Sequence, residues 1–234
     1  MIPKKIHYCW FGGNEKPEKV KKCIASWKKL CPDYEIVEWN ESNFDVNQNG
    51  YTRRCIREKK YAFLSDYARL VIVEKNGGIY FDTDVELIRN IDDLLKNEAF
   101  FGFESIEYIN TGVGFGAIPQ HPTVKLMKDQ YSVFLDGTKE FSSCPALNTR
   151  ALTPEGLLKN GKQQMVAGAI IYPVDYFNPY DDATGKLRKT KNTYSIHWYA
   201  KSWISKKAII RSKITKPFHR MLGVECFKWL KGIR

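Results

Sequence analysis

The sequence predicts an α/β fold in one compact domain, with a basic helical tail appended. A strand-helix-strand pattern opens the chain, and a helix apolar on most sides leads into a short buried strand ending in two aspartates. Basic residues then crowd the segment after residue 200. At 234 residues, with 43% hydrophobic and 27% charged side chains, the chain is within reach of a single domain and can bury a substantial core. Neither low complexity nor an excess of charge points to disorder.

Ile6 to Phe11 is rich in strand formers and stops at Gly12-Gly13, so a first strand enters a loop there. Pro17 to Leu30 reads as a helix, with Val20, Ile24, Trp27 and Leu30 along one face, lysines on the other and Pro32 as its stop. Tyr34 to Trp39 is the second strand. Tyr61 to Lys75 carries Phe63, Leu64, Tyr67, Leu70, Val71, Ile72 and Val73 around most of its circumference, the pattern of a buried helix, and Asn76-Gly77-Gly78 supplies the C-terminal stop. Ile79 to Phe81 is a short buried strand with Asp82-Thr-Asp84 at its end, where open α/β sheets place their ligands. Ala99–Phe103, Gly112–Ala117, Ala169–Tyr172 and Tyr194–Trp198 are further strands, and Pro122–Phe134 is a helix. No internal repeat or long linker divides residues 1–200, the expected catalytic domain, from within; residues 201–234 form the tail.

Six cysteines are scattered with no Cys-X-X-Cys pair, as expected of buried thiols in a reducing cytoplasm. No signal-peptide pattern and no membrane-length apolar run is present. The net charge of +11 is concentrated in the tail, where ten basic residues face the single acid Glu225. Ile214, Phe218, Met221, Leu222 and Trp229 recur there at helical spacing. Such a helix reads either as one lying on an anionic membrane surface or as one docked on its own domain with a solvated basic face.

On a strand, residues i and i+2 share a side, so Asp82 and Asp84 are expected to direct two carboxylates at one divalent cation. A lone Asp-X-Asp also describes a solvated turn. Gly77-Gly78 either gives a ligand room for close approach or only caps the helix. Asp66 and Arg69 stand one helical turn apart on an otherwise apolar helix, where an unpaired charge would cost several kcal/mol. They read as a structural ion pair or as ligands for sugar hydroxyls beside the aspartates. Trp10 follows the first strand and either stacks on a planar base or packs in the core. His197 is a core histidine or a ligand, and Asn110-Thr-Gly112 is a turn or a source of amide hydrogen bonds.

Taken together, Ile6–Gly13, Tyr61–Arg69, Gly77–Asp84 and Asn192–Trp198 resemble the DXD sugar-binding glycosyltransferases, in order from residue 2 to about Trp203. That family includes bacterial capsular and lipopolysaccharide transferases and the yeast initiating mannosyltransferase, and is related to the glucosylating domain of large clostridial toxins. The resemblance implies a GT-A fold with a mixed central sheet flanked by helices, a UDP-sugar donor, Mn2+ or Mg2+, and retention of anomeric configuration. By position it implies that Trp10 stacks on the base, that Asp66 and Arg69 hold the donor sugar, and that Asp84 ligates the metal. Asp82 contacts ribose, sugar or metal, and Tyr8, Gly78 and Asn110 complete the donor site. His197 aligns with the first histidine of a segment that commonly reads His-His and is the implied third metal ligand, although Trp198 replaces the second. Trp203 resembles a closing-loop tryptophan near the diphosphate.

The expected reaction is hexose transfer (galactose, glucose or an N-acetylhexosamine) to a glycan or lipid-linked oligosaccharide in bacterial capsular, exopolysaccharide or lipopolysaccharide synthesis. An inverting reaction would instead use Glu104 or Asp181 as general base. A toxin-like enzyme modifying protein side chains and a non-catalytic sugar-nucleotide binding module share the same donor residues. Nucleic-acid binding leaves the aspartates and the Asp66–Arg69 pair unexplained and is not expected. The expected location is the cytoplasm, peripheral to the inner face of its membrane.

Overall fold

The computed structural model describes residues 1–200, 206–224 and 226. The opening β-α-β consists of β1 (Lys5–Cys9), α1 (Glu18–Leu30) and β2 (Glu35–Trp39), with Pro17 as the N-cap of α1 and β1 parallel to β2. Next come α2 (Gly50–Arg57), α3 (Tyr61–Asn76) and β3 (Gly78–Tyr80). Gly77 caps α3 with φ 63°, and Gly78 follows at φ 98°. The left-handed region strains any side-chain-bearing residue, so these two glycines let the buried helix turn directly into the strand.

The remaining strands and helices are β4 (Val85–Leu87), β5 (Ala99–Gly102), β6 (Phe115–Ala117), α4 (Pro122–Asp129), α5 (Cys144–Leu152), β7 (Gln164–Val166), β8 (Ala169–Tyr172) and α6 (Val174–Phe177). They are followed by β9 (Tyr180–Asp181), β10 (Lys186–Leu187), β11 (Ser195–His197) and α7 (Lys206–Leu222). The expected helix over Pro122–Phe134 is shorter: α4 ends at Asp129 and a separate 3-10 turn covers Ser132–Phe134.

Seven strands form one mixed sheet in the order β2-β1-β3-β6-β5-β8-β7. β1 is parallel to both neighbours, whereas β6 runs antiparallel to β3 and β5. One core lies on the side of α2, α3, α4 and α5, where Leu64, Leu70 and Val73 of α3 meet Tyr51, Val124 and Leu147. The other lies under α1, around Trp27, Ile79, Phe81 and Phe177. This two-sided burial explains why α3 is apolar nearly all round: it packs on the sheet and against α2 and α4.

A second small sheet pairs β4 with β11 antiparallel, setting His197 opposite Val85. The indole N–H of Trp27, from α1, donates to the Val85 carbonyl at 2.8 Å and ties that sheet to the domain. β9 and β10 form a hairpin on which α7 docks through Lys216 and Arg220. Five cysteines are buried and all six are free. No helix among the described residues is long and apolar enough to cross a membrane.

Candidate donor and metal site

Asp82 and Asp84 occupy a turn, not the strand expected of them: β3 ends at Tyr80, β4 starts at Val85, and the Val85 N–H donates to the Asp82 carbonyl at 3.0 Å. The turn, not strand alternation, brings the carboxylates together. β11 completes the arrangement from the far end of the chain. His197 Nε2 stands 3.2 Å from Asp84 Oδ1, and the backbone N–H of Ala200 donates to Asp84 Oδ2 at 2.7 Å. One ligand atom each from Asp82, Asp84 and His197 lies within 4.8 Å of the others.

Asp82 is held from behind by Arg69. The guanidinium Nη2 lies 2.7 Å from Asp66 Oδ1 and 3.0 Å from Asp82 Oδ1, and Nε–H donates to the Ser65 carbonyl at 3.0 Å. Its carbon stands 4.9 Å from the centre of the Tyr80 ring, and the Tyr80 hydroxyl also donates to Asp82 Oδ1, at 3.1 Å. The Arg69 side chain is only 3% exposed, so this cation is neutralised within the protein. Gly112 makes the close packing possible. A Cβ there would sit 2.2 Å from Asp82 Oδ2 and 2.9 Å from Arg69 Nη1. Asn110 accepts the Gly112 N–H at 2.7 Å and donates to Glu104 Oε1 at 3.1 Å.

Burial pushes the Asp66 carboxyl up to about 6; Arg69 opposes that shift, while Asp82 and Glu104 add to it. Asp82 is likewise raised by burial, only partly offset by Arg69 and reinforced by Asp84. Burial also acts upward on Asp84, but the charge and hydrogen bond of His197 and the Ala200 N–H hold it below the usual carboxylate range. For His197, burial favours the neutral ring, yet Asp84 first and Asp82 and Glu104 behind it hold its pKa above the ordinary value. The site thus concentrates carboxylates around one committed arginine and one histidine, an arrangement that favours an added cation.

The donor set also fits such an ion. Two carboxylates and an imidazole are ligands that Mn2+ and Mg2+ accept, and His197 Nδ1 is buried with no hydrogen-bond partner among the described residues.

Tyr8 lies in β1 and Trp10 follows it, where β1 runs parallel to β3 with His7 opposite Tyr80 and the Phe81 N–H donating to the His7 carbonyl at 3.1 Å. The Trp10 indole N–H donates to the Asn14 carbonyl at 2.7 Å, and Lys16 Nζ stands 5.7 Å from its ring centre. Lys16 pairs with Glu38 at 2.7 Å, and the Tyr8 hydroxyl donates to the same carboxylate, so these four side chains form one connected cluster. Gly78 stands at the opposite end of β3 from Asp82. A Cβ there would meet His7 Nε2 at 2.9 Å and the Lys5 carbonyl at 3.0 Å, so the absent side chain serves packing against β1. Asp181 is outside the site too: its carboxylate accepts from Ala183, Thr184 N–H and the Thr184 hydroxyl within its own hairpin. Trp203 lies outside the described residues. Tyr199, Asn178 and Glu104 form a hydrogen-bonded group beside His197 that the residue pattern gives no reason to connect, because its members come from three distant loops.

Residues 17–101 match the family described as "Glycosyltransferase sugar-binding region containing DXD motif". The chain is 36% identical over 125 residues to inositol phosphoceramide mannosyltransferase 3 of Schizosaccharomyces pombe, covering 52% of this chain and 35% of that protein. It is 30% identical over 131 residues to the uncharacterized glycosyltransferase L373 of Acanthamoeba polyphaga mimivirus, covering 52% of each. The chain therefore spans about half or less of these curated relatives. Its fold matches the solved PaToxG glycosyltransferase with a TM-score of 0.53 at 22% identity, over 66% of this chain and 70% of that one. The mixed sheet flanked by helices is the GT-A arrangement.

Proposed function

We propose that the chain, which matches the DXD sugar-binding glycosyltransferases over residues 17–101, is a retaining, metal-dependent enzyme moving a hexose from a UDP-sugar to a glycan acceptor. The observation that supports this reading best is the convergence of Asp82, Asp84 and His197 beside the Asp66–Arg69 pair. Asp84 and His197 would hold the cation, with Asp82 as the third ligand. A divalent ion bound there supplies positive charge for a diphosphate leaving group, which the committed Arg69 does not provide.

In this reading Asp66, kept ionised by Arg69, accepts hydrogen bonds from donor-sugar hydroxyls, and Asn110 borders the same space. Trp10 packs on the base. The acceptor hydroxyl attacks the anomeric carbon from the face on which its bond to the diphosphate breaks and passes its proton to the departing diphosphate oxygen, so no protein carboxylate acts as base and configuration is retained. The hexose is galactose, glucose or an N-acetylhexosamine.

Residues 1–200 are the catalytic domain and 201–234 a surface-attachment segment. On α7, Ile210, Ile214, Met221 and Leu222 are 58%, 62%, 82% and 68% exposed, while Lys216 and Arg220 turn inward to the hairpin. An apolar stripe within a basic tail suits an anionic bilayer and hence a lipid-linked oligosaccharide acceptor of bacterial capsular, exopolysaccharide or lipopolysaccharide synthesis.

The test is a donor panel scored for metal-dependent hydrolysis without acceptor. Turnover of one or more UDP-hexoses with Mn2+ and not with EDTA is expected; no turnover of any nucleotide sugar under either condition would remove the enzymatic reading. NMR of the anomeric proton in the first-formed product reports retention, and an inverted centre would contradict it.

A further inference from the structure

We propose that Tyr199 is a positioning residue that locks the two sides of the metal site together through Glu104, an inference that rests on the metal-site reading above. Tyr199 carries a positive φ of 49°, an uncommon and strained conformation for a bulky residue. Three side-chain contacts help to hold it there. Its ring lies 4.1 Å, centre to centre, from the His197 imidazole, its hydroxyl donates to Glu104 Oε1 at 3.2 Å, and the same hydroxyl accepts from Asn178 Nδ2 at 2.7 Å.

Glu104 extends the connection. Its Oε1 also accepts from Asn110 Nδ2, Asn110 Oδ1 accepts the Gly112 N–H, and the Gly112 carbonyl accepts the Asp82 N–H at 3.1 Å. Asn178 adds a second tie to the Glu104 carbonyl at 3.0 Å. A continuous path therefore runs from Asp82 through Gly112, Asn110, Glu104 and Tyr199 to His197, which itself meets Asp84. Asp82 and His197 lie 115 positions apart in the chain; the β4–β11 pairing brings their backbones together, and this closure fixes the side chains across the gap. Glu104 Oε1, the atom an inverting mechanism would use as base, is occupied in it.

Without its hydroxyl, Tyr199 loses two of its three side-chain contacts, leaving the strained backbone held by the Trp198 and Ala200 N–H bonds to Asp84 and the ring contact with His197, which loosens the imidazole against the aspartates. Partners of this kind commonly set metal affinity by tenfold or more. The probe is Mn2+ binding by titration calorimetry and electron paramagnetic resonance, with Mn2+ alone and with Mn2+ plus UDP. Tyr199→Phe and Glu104→Ala should each weaken Mn2+ binding by about tenfold or more, and the double variant should bind no more weakly than Glu104→Ala alone. Tyr172→Phe, which removes a tyrosine hydroxyl bonded to Asn97 elsewhere in the fold, serves as the control and should stay within about twofold. Melting in EDTA separates lost stability from lost positioning. Tyr199→Phe with wild-type Mn2+ affinity, or weakened no more than Tyr172→Phe, overturns the positioning role while leaving the metal site standing. Wild-type protein that binds no Mn2+ in either condition overturns the metal-site reading and this inference with it.

Discussion

In the proposed donor site, Asp66 serves binding at the expense of stability. With its carboxyl raised to about 6, the folded protein retains a proton between about pH 4 and 6 that the unfolded chain has released. Its contribution to stability therefore falls as pH rises through that window and is fully unfavourable above it. Asp66→Asn should unfold in urea at a higher midpoint than wild type at pH 7.5, by on the order of 1–3 kcal/mol, with the gain vanishing near pH 4. Donor affinity should move the opposite way, falling in wild type as pH drops below about 6 and falling at least tenfold in Asp66→Asn at pH 7.5, read by UDP-sugar titration. Gly112→Ala is the complementary test. Its Cβ would lie 2.2 Å from Asp82 Oδ2, so the variant should fold and lose most of its Mn2+ affinity; unchanged affinity would mean that Asp82 is not a ligand. At this scale Asp82, Asp84, Asp66 and Arg69 were legible because unpaired charges beside apolar runs demand partners. His197 read as a core histidine or a ligand, with its metal role implied by the family resemblance; Glu104 entered only as the general base of an inverting alternative, and Tyr199 not at all, because their contacts join loops far apart in the chain.

Among the elements, α1, α3, β1 and β3 were readable because their apolar pattern is long or continuous. α2 was missed. It begins at a glycine amid polar residues, and its local signal is the Asn49–Thr52 capping box, where Asn49 Oδ1 accepts the Thr52 N–H at 2.9 Å. β4 and β11 have three residues each, too few for alternation to show, yet their pairing brings His197 to the aspartates. The strand assumed for Asp82–Asp84 is a turn for the same reason: β3 is only three residues long. Trp27 ties this small sheet to α1, so Trp27→Phe, which leaves the buried Val85 carbonyl without its donor, should cost about 1–3 kcal/mol in urea unfolding. No loss would mean that the indole bond does not secure β4.

For the whole molecule, the order of the sheet follows from no single segment, since β6 runs against its neighbours and links the two halves. The α/β class and the mixed sheet were legible; the pairing order was not, because it depends on contacts between segments remote in sequence. α7 leaves Ile214 and Met221 exposed in a tail of ten basic residues. Full-length protein should sediment with phosphatidylserine-containing vesicles at low salt, release at high salt, and lose the interaction in Ile214→Glu combined with Met221→Glu. Failure to sediment at low salt contradicts membrane attachment. The central claim, that Asp82, Asp84 and His197 hold a cation for a nucleotide-sugar donor, is tested most directly by UDP-sugar hydrolysis in wild type and Asp84→Ala, each with Mn2+ or EDTA. Metal-dependent turnover that falls about 100-fold or more in a folded Asp84→Ala is predicted; full turnover in that variant would contradict the account.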